Sequence, residues 1–427
     1  MKRVLHIAVY RRLLAAFGLN ELAWSVGTLA LAVLVYRHTG SALGATGFFL
    51  CSQFLPALLT PLLVSRMEQR PPRRALPVLY AIEAALFGVL AALTSRFSLA
   101  AVLVVVFLDG AVAVVARSLV RACIVATVRP LDLLPEANAV VSLVFSASYM
   151  AGPAIGGVVV AAGGTVDALL INCGLFAAIA LVLVTATGIR RPAEELEPGK
   201  RRLRGALSYV RNDPALRTML SLRTAQMIVF TISIPVEVVL ASHTLGAGAG
   251  GYGALMSGWG AGAVLGSAAF VRWRRRPAGI LVALSGLAMA VGFGIMAAAP
   301  TIVVAVIGAV FGGLGNGAGM VAGTNQIQEY TPERWTAVVT GLNESIFQVG
   351  PGLGILIGGG LTTLAGPRIA LSVGAAAGLL WTVAAWVQLR PGVLPAPPPL
   401  SAAQTAEPDG AEGPLVPVAL ESRETLA

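Results

Sequence analysis

The strongest constraint on this chain is a succession of apolar runs, each about 20 residues long and almost free of charge. Twelve runs of this kind read as membrane-crossing helices. The first six lie at roughly 13–36, 43–65, 75–95, 98–119, 138–162 and 167–188. The second six lie at roughly 217–241, 249–271, 278–298, 301–324, 337–363 and 368–389. Inside a bilayer no water satisfies backbone N–H and C=O groups, so each crossing closes its own hydrogen bonds as a helix. The fold class expected is an all-α polytopic membrane protein with twelve transmembrane helices in two groups of six.

The basic residues support an even number of crossings. Of 30 Lys and Arg, all but Arg37, Arg96 and Arg368 fall at the termini or around the loops after every second span. Lys and Arg concentrate on the cytoplasmic side, so both termini are expected there, with the chain in the cell membrane. Only 12% of residues are charged and 56% are hydrophobic. A soluble domain carries about 25% charge. The net charge of +10 therefore resides in short topology clusters, and no basic-aromatic groove points to nucleic acid. Cys51, Cys123 and Cys173 are isolated, which indicates neither a disulfide framework nor a zinc site. The basic N-terminus leads into a run too long for a signal peptide, so it is read as a retained first helix.

The organisation that follows is a six-helix bundle over 1–189, a cytoplasmic linker over 190–216, a second six-helix bundle over 217–390 and a tail over 391–427. The linker portion 200–210 reads as a surface helix. The tail is rich in Pro, Ala and Glu and reads as disordered. The bundles repeat one another. Ala139-Val140-Val141-Ser142 recurs as Ala337-Val338-Val339-Thr340, Pro135-Glu136 as Pro332-Glu333, and Gly152-Pro153 as Gly350-Pro351. Such a repeat implies two bundles related by an axis along the membrane normal.

The repeated Gly-Pro pairs carry a physical demand. Pro153 cannot donate a backbone hydrogen bond, so the carbonyl of Tyr149 loses its helical partner. Ser148, Gly152 and Gly156 recur every four residues and leave one face almost bare, which allows another helix to approach closely. Gly157 extends the device, and Gly350, Pro351 and Gly354 repeat it.

Several stretches carry a family resemblance. They are Val35 to Ser41, Gln53-Phe54-Leu55-Pro56, Leu134 to Ala139, Gly152-Pro-Ala-Ile-Gly-Gly157, and Tyr209 to Arg217. With them the chain resembles the major facilitator superfamily over roughly residues 1–390. Within it the chain is most similar to the drug and siderophore exporter branch, with macrolide-efflux and enterobactin-exporter relatives. The resemblance implies that span 5 carries an exporter's antiporter motif and packs against span 8. On span 8, Ala254, Gly258, Gly262 and Gly266 are spaced by four and are expected to face it. The superfamily's loop after span 2 usually begins with Gly and carries an acid. Here those positions are Pro61 and Ser65, and Arg66 matches while Arg70 closes the stretch. A serine can still cap a helix, but without charge its interaction with the helix dipole is weaker.

Ionisable groups inside a span cost roughly 2.5–3.5 kcal/mol, so each needs a reason. Glu21, Glu83, Asp109 and Glu237 lie within predicted spans, and no Lys or Arg is expected at comparable depth; Arg117 is nearest. The resemblance places Glu21, Asp109 and Glu237 on helices that line the central cavity. A carboxyl held from water without a counter-ion favours its neutral form, which is the chemistry that proton exchange requires. Glu21 and Asp109 are therefore the proton-coupling candidates, and a purely structural role stands beside that reading. Glu237 is placed near the outer end of its span, where water reaches it, and Glu83 on a peripheral helix, where local pairing is expected. Asn20, Trp24, Gln226, Glu237, Asn316, Asn325 and Gln326 are candidates for the substrate path, although amides in spans also simply join helices.

No phosphate-binding Gly-x-x-x-x-Gly-Lys-Ser/Thr loop and no HExxH occurs, so neither ATP-driven transport nor metallohydrolysis is indicated. The expectation is not an enzyme and needs no cofactor. It is a proton-gradient-driven exporter of small hydrophobic or cationic compounds, acting as a monomer in the lipid bilayer. An exporter of one dedicated metabolite, such as a siderophore or self-made antibiotic, is the alternative. A non-transporting sensor or scaffold is the third reading.

Overall fold

The computed structural model describes residues 2–59, 71–131, 133–186, 188–189, 210–273, 278–331 and 333–389. Among them every regular element is helical. The long helices are α1 (Ala8–Thr39), α2 (Ala42–Leu59), α3 (Pro72–Leu93) and α4 (Leu99–Val128). Next come α5 and α6 (134–163 and 165–184), one run broken where Gly164 adopts φ 88°. Then follow α7 (Pro214–Val239), α8 (Gly248–Trp273), α9 (Ala278–Ala298), α10 (Ile302–Tyr330), α11 (Glu333–Ala365) and α12 (Pro367–Leu389). Each predicted span coincides with one helix. Among the described residues, nine segments are long and apolar enough to cross a membrane, one of them the α5–α6 hairpin. Large apolar side chains face outward along the helices, among them Leu364 at 87% and Leu380 at 73% exposure, as a lipid-facing surface requires.

The helices start and stop on local chemistry. Ser41, Ser98, Asp213 and Thr301 accept hydrogen bonds from the first free N–H groups of α2, α4, α7 and α10. Pro214 follows Asp213 in the first turn, where its missing N–H costs nothing. At the ends away from the termini the connections are very short. Gly40, Gly164 and Gly366 turn the chain there with φ of 58°, 88° and 87°, a region closed to most side chains. Arg368 donates to the carbonyls of Ala297 and Ala299 at 3.1 and 2.8 Å, placing a cation on the C-terminal end of α9. Arg12 does the same for the carbonyl of Thr185 after α6.

Packing follows the sequence repeat. Within the first six helices α1 lies on α5 and α6, and α3 on α4 and α6. Within the last six, α7 lies on α11, and α10 on α8 and α9. The two groups meet mainly through α5 against α8 and α2 against α11. These contacts run from mid-helix toward the ends away from the termini. Gly157 meets Ala249 and Gly253, Gly260 meets Tyr149, Gly352 meets Phe54, and Gly359 meets Thr46.

The bare helical faces are used differently from the expectation. Gly152 and Gly156 lie against Ser25 and Val26 of α1, and the Ser148 hydroxyl donates to the Gly18 carbonyl at 3.4 Å. That ladder therefore closes the first bundle on itself. In the repeat, Gly354 faces Thr231 and Ile228 of α7, and the Thr231 hydroxyl donates to the Pro351 carbonyl at 3.1 Å. The α8 ladder is also redirected. Gly258, Gly262 and Gly266 face Val306, Val310 and Leu314 of α10 rather than α5. A helix is bare on every side where it carries glycine, so spacing by four alone does not say which neighbour takes the face. Here α5 meets α8 through Gly157, Gly253 and Gly260, a different stripe.

The π-turns in α2 (Leu50–Phe54) and after α7 (Leu240–Thr244) interrupt otherwise regular helices. The first precedes Pro56, which frees the carbonyl of Ser52. A Cβ at Gly110 of α4 would lie 2.5 Å from that oxygen, so only glycine fits. Pro61, Ser65, Arg66 and Arg70, the linker over 190–209 and the tail from 390 lie outside the described residues.

Candidate functional site

The two helical groups enclose two small chambers. The inner one, about 150 Å³, lies within the first six helices. Its polar walls are Asn20, Ser52, Gln53, Glu83, Asp109 and Arg117. The other, about 140 Å³, lies between the two groups. Its walls are largely aromatic, from Trp24, Phe49, Tyr149, Phe230, Tyr252 and Trp259, with Glu237 the acid among them. Trp24, Thr28 and Gln53 belong to both chambers, so a thin partition from α1 and α2 separates them.

Local sequence explains how these groups converge. Asn20, Trp24, Thr28 and Leu31 recur at three and four residues along α1, and all four face the inner chamber. On α4, Asp109, Ala113 and Arg117 do the same. On α7, Phe230, Ser233 and Glu237 line the inter-group chamber. The Trp259 ring stacks on Phe293 and meets Phe230 at a tilt, with centroids 5.6 and 5.4 Å away, which fixes its orientation.

The electrostatics differ from the expectation in one central respect. Glu21 does not sit without a cation. Arg117 reaches it, with its Nε 3.9 Å from Glu21 Oε1 and its guanidinium over the Trp24 ring at 5.5 Å, and lines the same chamber as Asp109. Two turns along α4 carry a side chain back to nearly the same face, and a long arginine spans what remains. Glu83 departs from the expected peripheral pairing. It is fully buried, opens onto the same chamber as Asp109, and neither carboxylate oxygen has a hydrogen-bond partner. Asp109 Oδ1 is also without one. Glu237 is not a solvated end group, being only 7% exposed and turned into the aromatic chamber.

The remaining path candidates divide. Asn20 and Trp24 line the chambers. Gln226 and Asn316 are buried, but neither lines either chamber. Gln226 accepts from Arg223 at 2.7 Å, while Arg223 also donates to the Gly319 and Met320 carbonyls at 3.1 and 3.4 Å. This buried arginine ties α7 to α10, although in the sequence it lies close to the basic linker. Asn325 and Gln326 are half-buried near the end of α10. Tyr149, Tyr252 and Trp259 were missed as wall residues. Their signal was present, since each is an aromatic interrupting a small-residue run.

Comparison with known proteins agrees with this architecture. The family model described as Major Facilitator Superfamily matches residues 13–342 and again 222–424. The solved structure of the nucleoside transporter NupG is similar, with TM-score 0.74 at 14% identity, covering 90% of this chain and 99% of that one. A bacterial homologue of the iron transporter ferroportin, in its inward-facing state, gives TM-score 0.68 at 16% identity, covering 88% and 97%. A D-xylose-proton symporter gives 0.65 at 14% identity, covering 88% and 97%. At such identities the likeness concerns the fold. No curated protein matches the chain. The twelve helices, their repeat and the matching family model lead to one assignment: this chain belongs to the major facilitator superfamily and is a multi-pass membrane transporter.

Proposed function

We propose that the chain is a proton-coupled exporter of small hydrophobic organic cations, working by alternating access between its two six-helix halves. The carrying observation is the inter-half chamber, where six aromatic side chains surround one buried carboxylate, Glu237. Aromatic faces attract cations, by about 2 kcal/mol or more once water is excluded, and a carboxylate adds the opposite charge.

The Lys and Arg distribution supports cytoplasmic termini and a cell-membrane location. With that orientation, the inter-half contacts at Gly157 and Gly359 lie toward the outer side, which supports a reading in which substrate loads from the cytoplasm. The exporter-like Gly152-Pro153-x-x-Gly156-Gly157 stretch agrees with this direction.

The test uses purified protein in proteoliposomes with tetraphenylphosphonium as the probe. Imposing a pH gradient should drive the cation uphill, against the flow of protons. Movement that is only downhill and indifferent to the gradient would remove proton coupling from the reading.

A further inference from the structure

We propose that Glu83 and Asp109 together form the proton-binding site of the transporter, and that Arg117 competes with the proton for it. This rests on the proton-coupled reading of the chain but moves the site away from Glu21.

The inner chamber holds an imbalance. Glu83 from α3 and Asp109 from α4 line it with one cation among the described residues, Arg117, which also lies beside a third acid, Glu21 of α1. Arg117 lies beside Glu21 and Trp24 in this state, without a hydrogen bond from its Nε. Its Nε points at Glu21 and its guanidinium plane covers Trp24. That leaves Glu83 and Asp109 opening onto one small chamber, with three of their oxygens buried and without a hydrogen-bond partner. Two ionised carboxylates cannot share a water-poor cavity unless something neutralises them. One proton held between them, directly or through cavity water, removes a charge and supplies the missing donor.

The other titratable group facing this pair is Tyr80, one turn before Glu83 on α3, whose buried hydroxyl also lacks a partner. The α2 wall brings Ser52 and Gln53, and the α6 wall brings Phe176, none of which titrates near neutrality. Asn20 of α1 points an unpartnered amide Nδ2 at the same region and can donate to either acid.

Arg117 supplies the exchange. It already lines the chamber with both acids, so a swing from Glu21 and Trp24 toward Glu83 and Asp109 stays within one chamber. When it arrives the shared proton leaves, and the negative charge this uncovers, with Glu21 now unpaired, is offset by the organic cation that has entered. Trp24 is the link to the aromatic chamber, because its ring is a wall of both. An organic cation stacking on that ring takes the surface Arg117 occupies and drives the swing.

Infrared difference spectra of purified protein between acidic and alkaline pH test the site without any substrate. The wild type should lose one buried protonated-carboxyl C=O band as pH rises. That band should be absent from Glu83→Gln and from Asp109→Asn and retained in Glu21→Gln. Glu83→Asp, which keeps the carboxyl, should show it at a shifted frequency, so a misfolded Gln variant does not decide the matter. A band lost only in Glu21→Gln, or no such band in the wild type, overturns the proposal. If the band behaves as expected while tetraphenylphosphonium flux ignores a pH gradient, the proton site stands and the transport reading falls.

Discussion

The carbonyl that Pro153 frees, that of Tyr149 on α5, points at Gly260 of α8. A Cβ at position 260 would stand 2.9 Å from the oxygen and 3.2 Å from the Met150 Cα. Both obstacles are backbone, so neither can yield by a rotamer change. The two helices belong to different halves and must separate in an alternating-access cycle. Gly260→Val is therefore expected to hold them apart near mid-membrane and favour the outward-open arrangement. Cysteine pairs placed at the outer ends of α5 and α8, away from the glycine contacts, should cross-link more slowly in the variant. Unchanged cross-linking would refute the wedge.

The α8–α10 seam should respond differently. A Cβ at Gly262 would collide with the Val310 carbonyl, and one at Gly317 with the Ala263 carbonyl. Both contacts lie inside one half and persist through any rocking motion. Gly262→Leu should thus lower stability by about 1–3 kcal/mol, the usual cost of overpacking. Thermal unfolding in detergent measures this. A variant with wild-type stability and a selective transport defect would contradict the assignment.

These two glycine stripes mark how far the sequence could be read. Hydropathy and the Lys and Arg distribution located all twelve helices, because a bilayer allows few alternatives. The repeat at Gly152-Pro153 and Gly350-Pro351 located equivalent packing surfaces. Which neighbour each surface meets was not legible, since Gly152 and Gly157 differ by five residues yet face α1 and α8 respectively. The site was legible in part. Buried acids declare themselves in an apolar run, but their partners depend on side-chain reach. Arg117 looked too far from Asp109 along the helix, and only the fold brings it against Glu21 of α1. Glu83 looked peripheral because chamber walls are set by helix rotation.

Glu237 gives a prediction separate from the proton site. Its carboxylate is buried among aromatic rings and has no role in the inner chamber. Glu237→Gln removes the charge and keeps the shape. Tetraphenylphosphonium carries no hydrogen-bond donor, so only charge attraction is lost, about 2 kcal/mol for charges about 8 Å apart, and its KM should rise about 30-fold. The infrared carboxyl band assigned to Glu83 and Asp109 should stay. An unchanged KM would take Glu237 out of the binding surface.

Arg117 and Glu21 should show a coupled energy rather than two separate ones. The pair is long at 3.9 Å, and the arginine side chain is 31% exposed while Glu21 is 6% exposed. Its attraction is therefore modest, and the cost of breaking it lies in the charge left behind. Arg117→Gln strands Glu21 beside two further acids, which should destabilise the protein by about 3 kcal/mol. Glu21→Gln leaves a cation that can turn to Glu83 and Asp109, so about 1 kcal/mol is expected. The double variant strands nothing on α1 and should be more stable than Arg117→Gln alone. Thermal unfolding of the four proteins closes the cycle, with a coupling of at least about 1 kcal/mol expected between residues in contact. Strict additivity would mean that Arg117 serves another acid, and Glu83 or Asp109 would then be the partner to test.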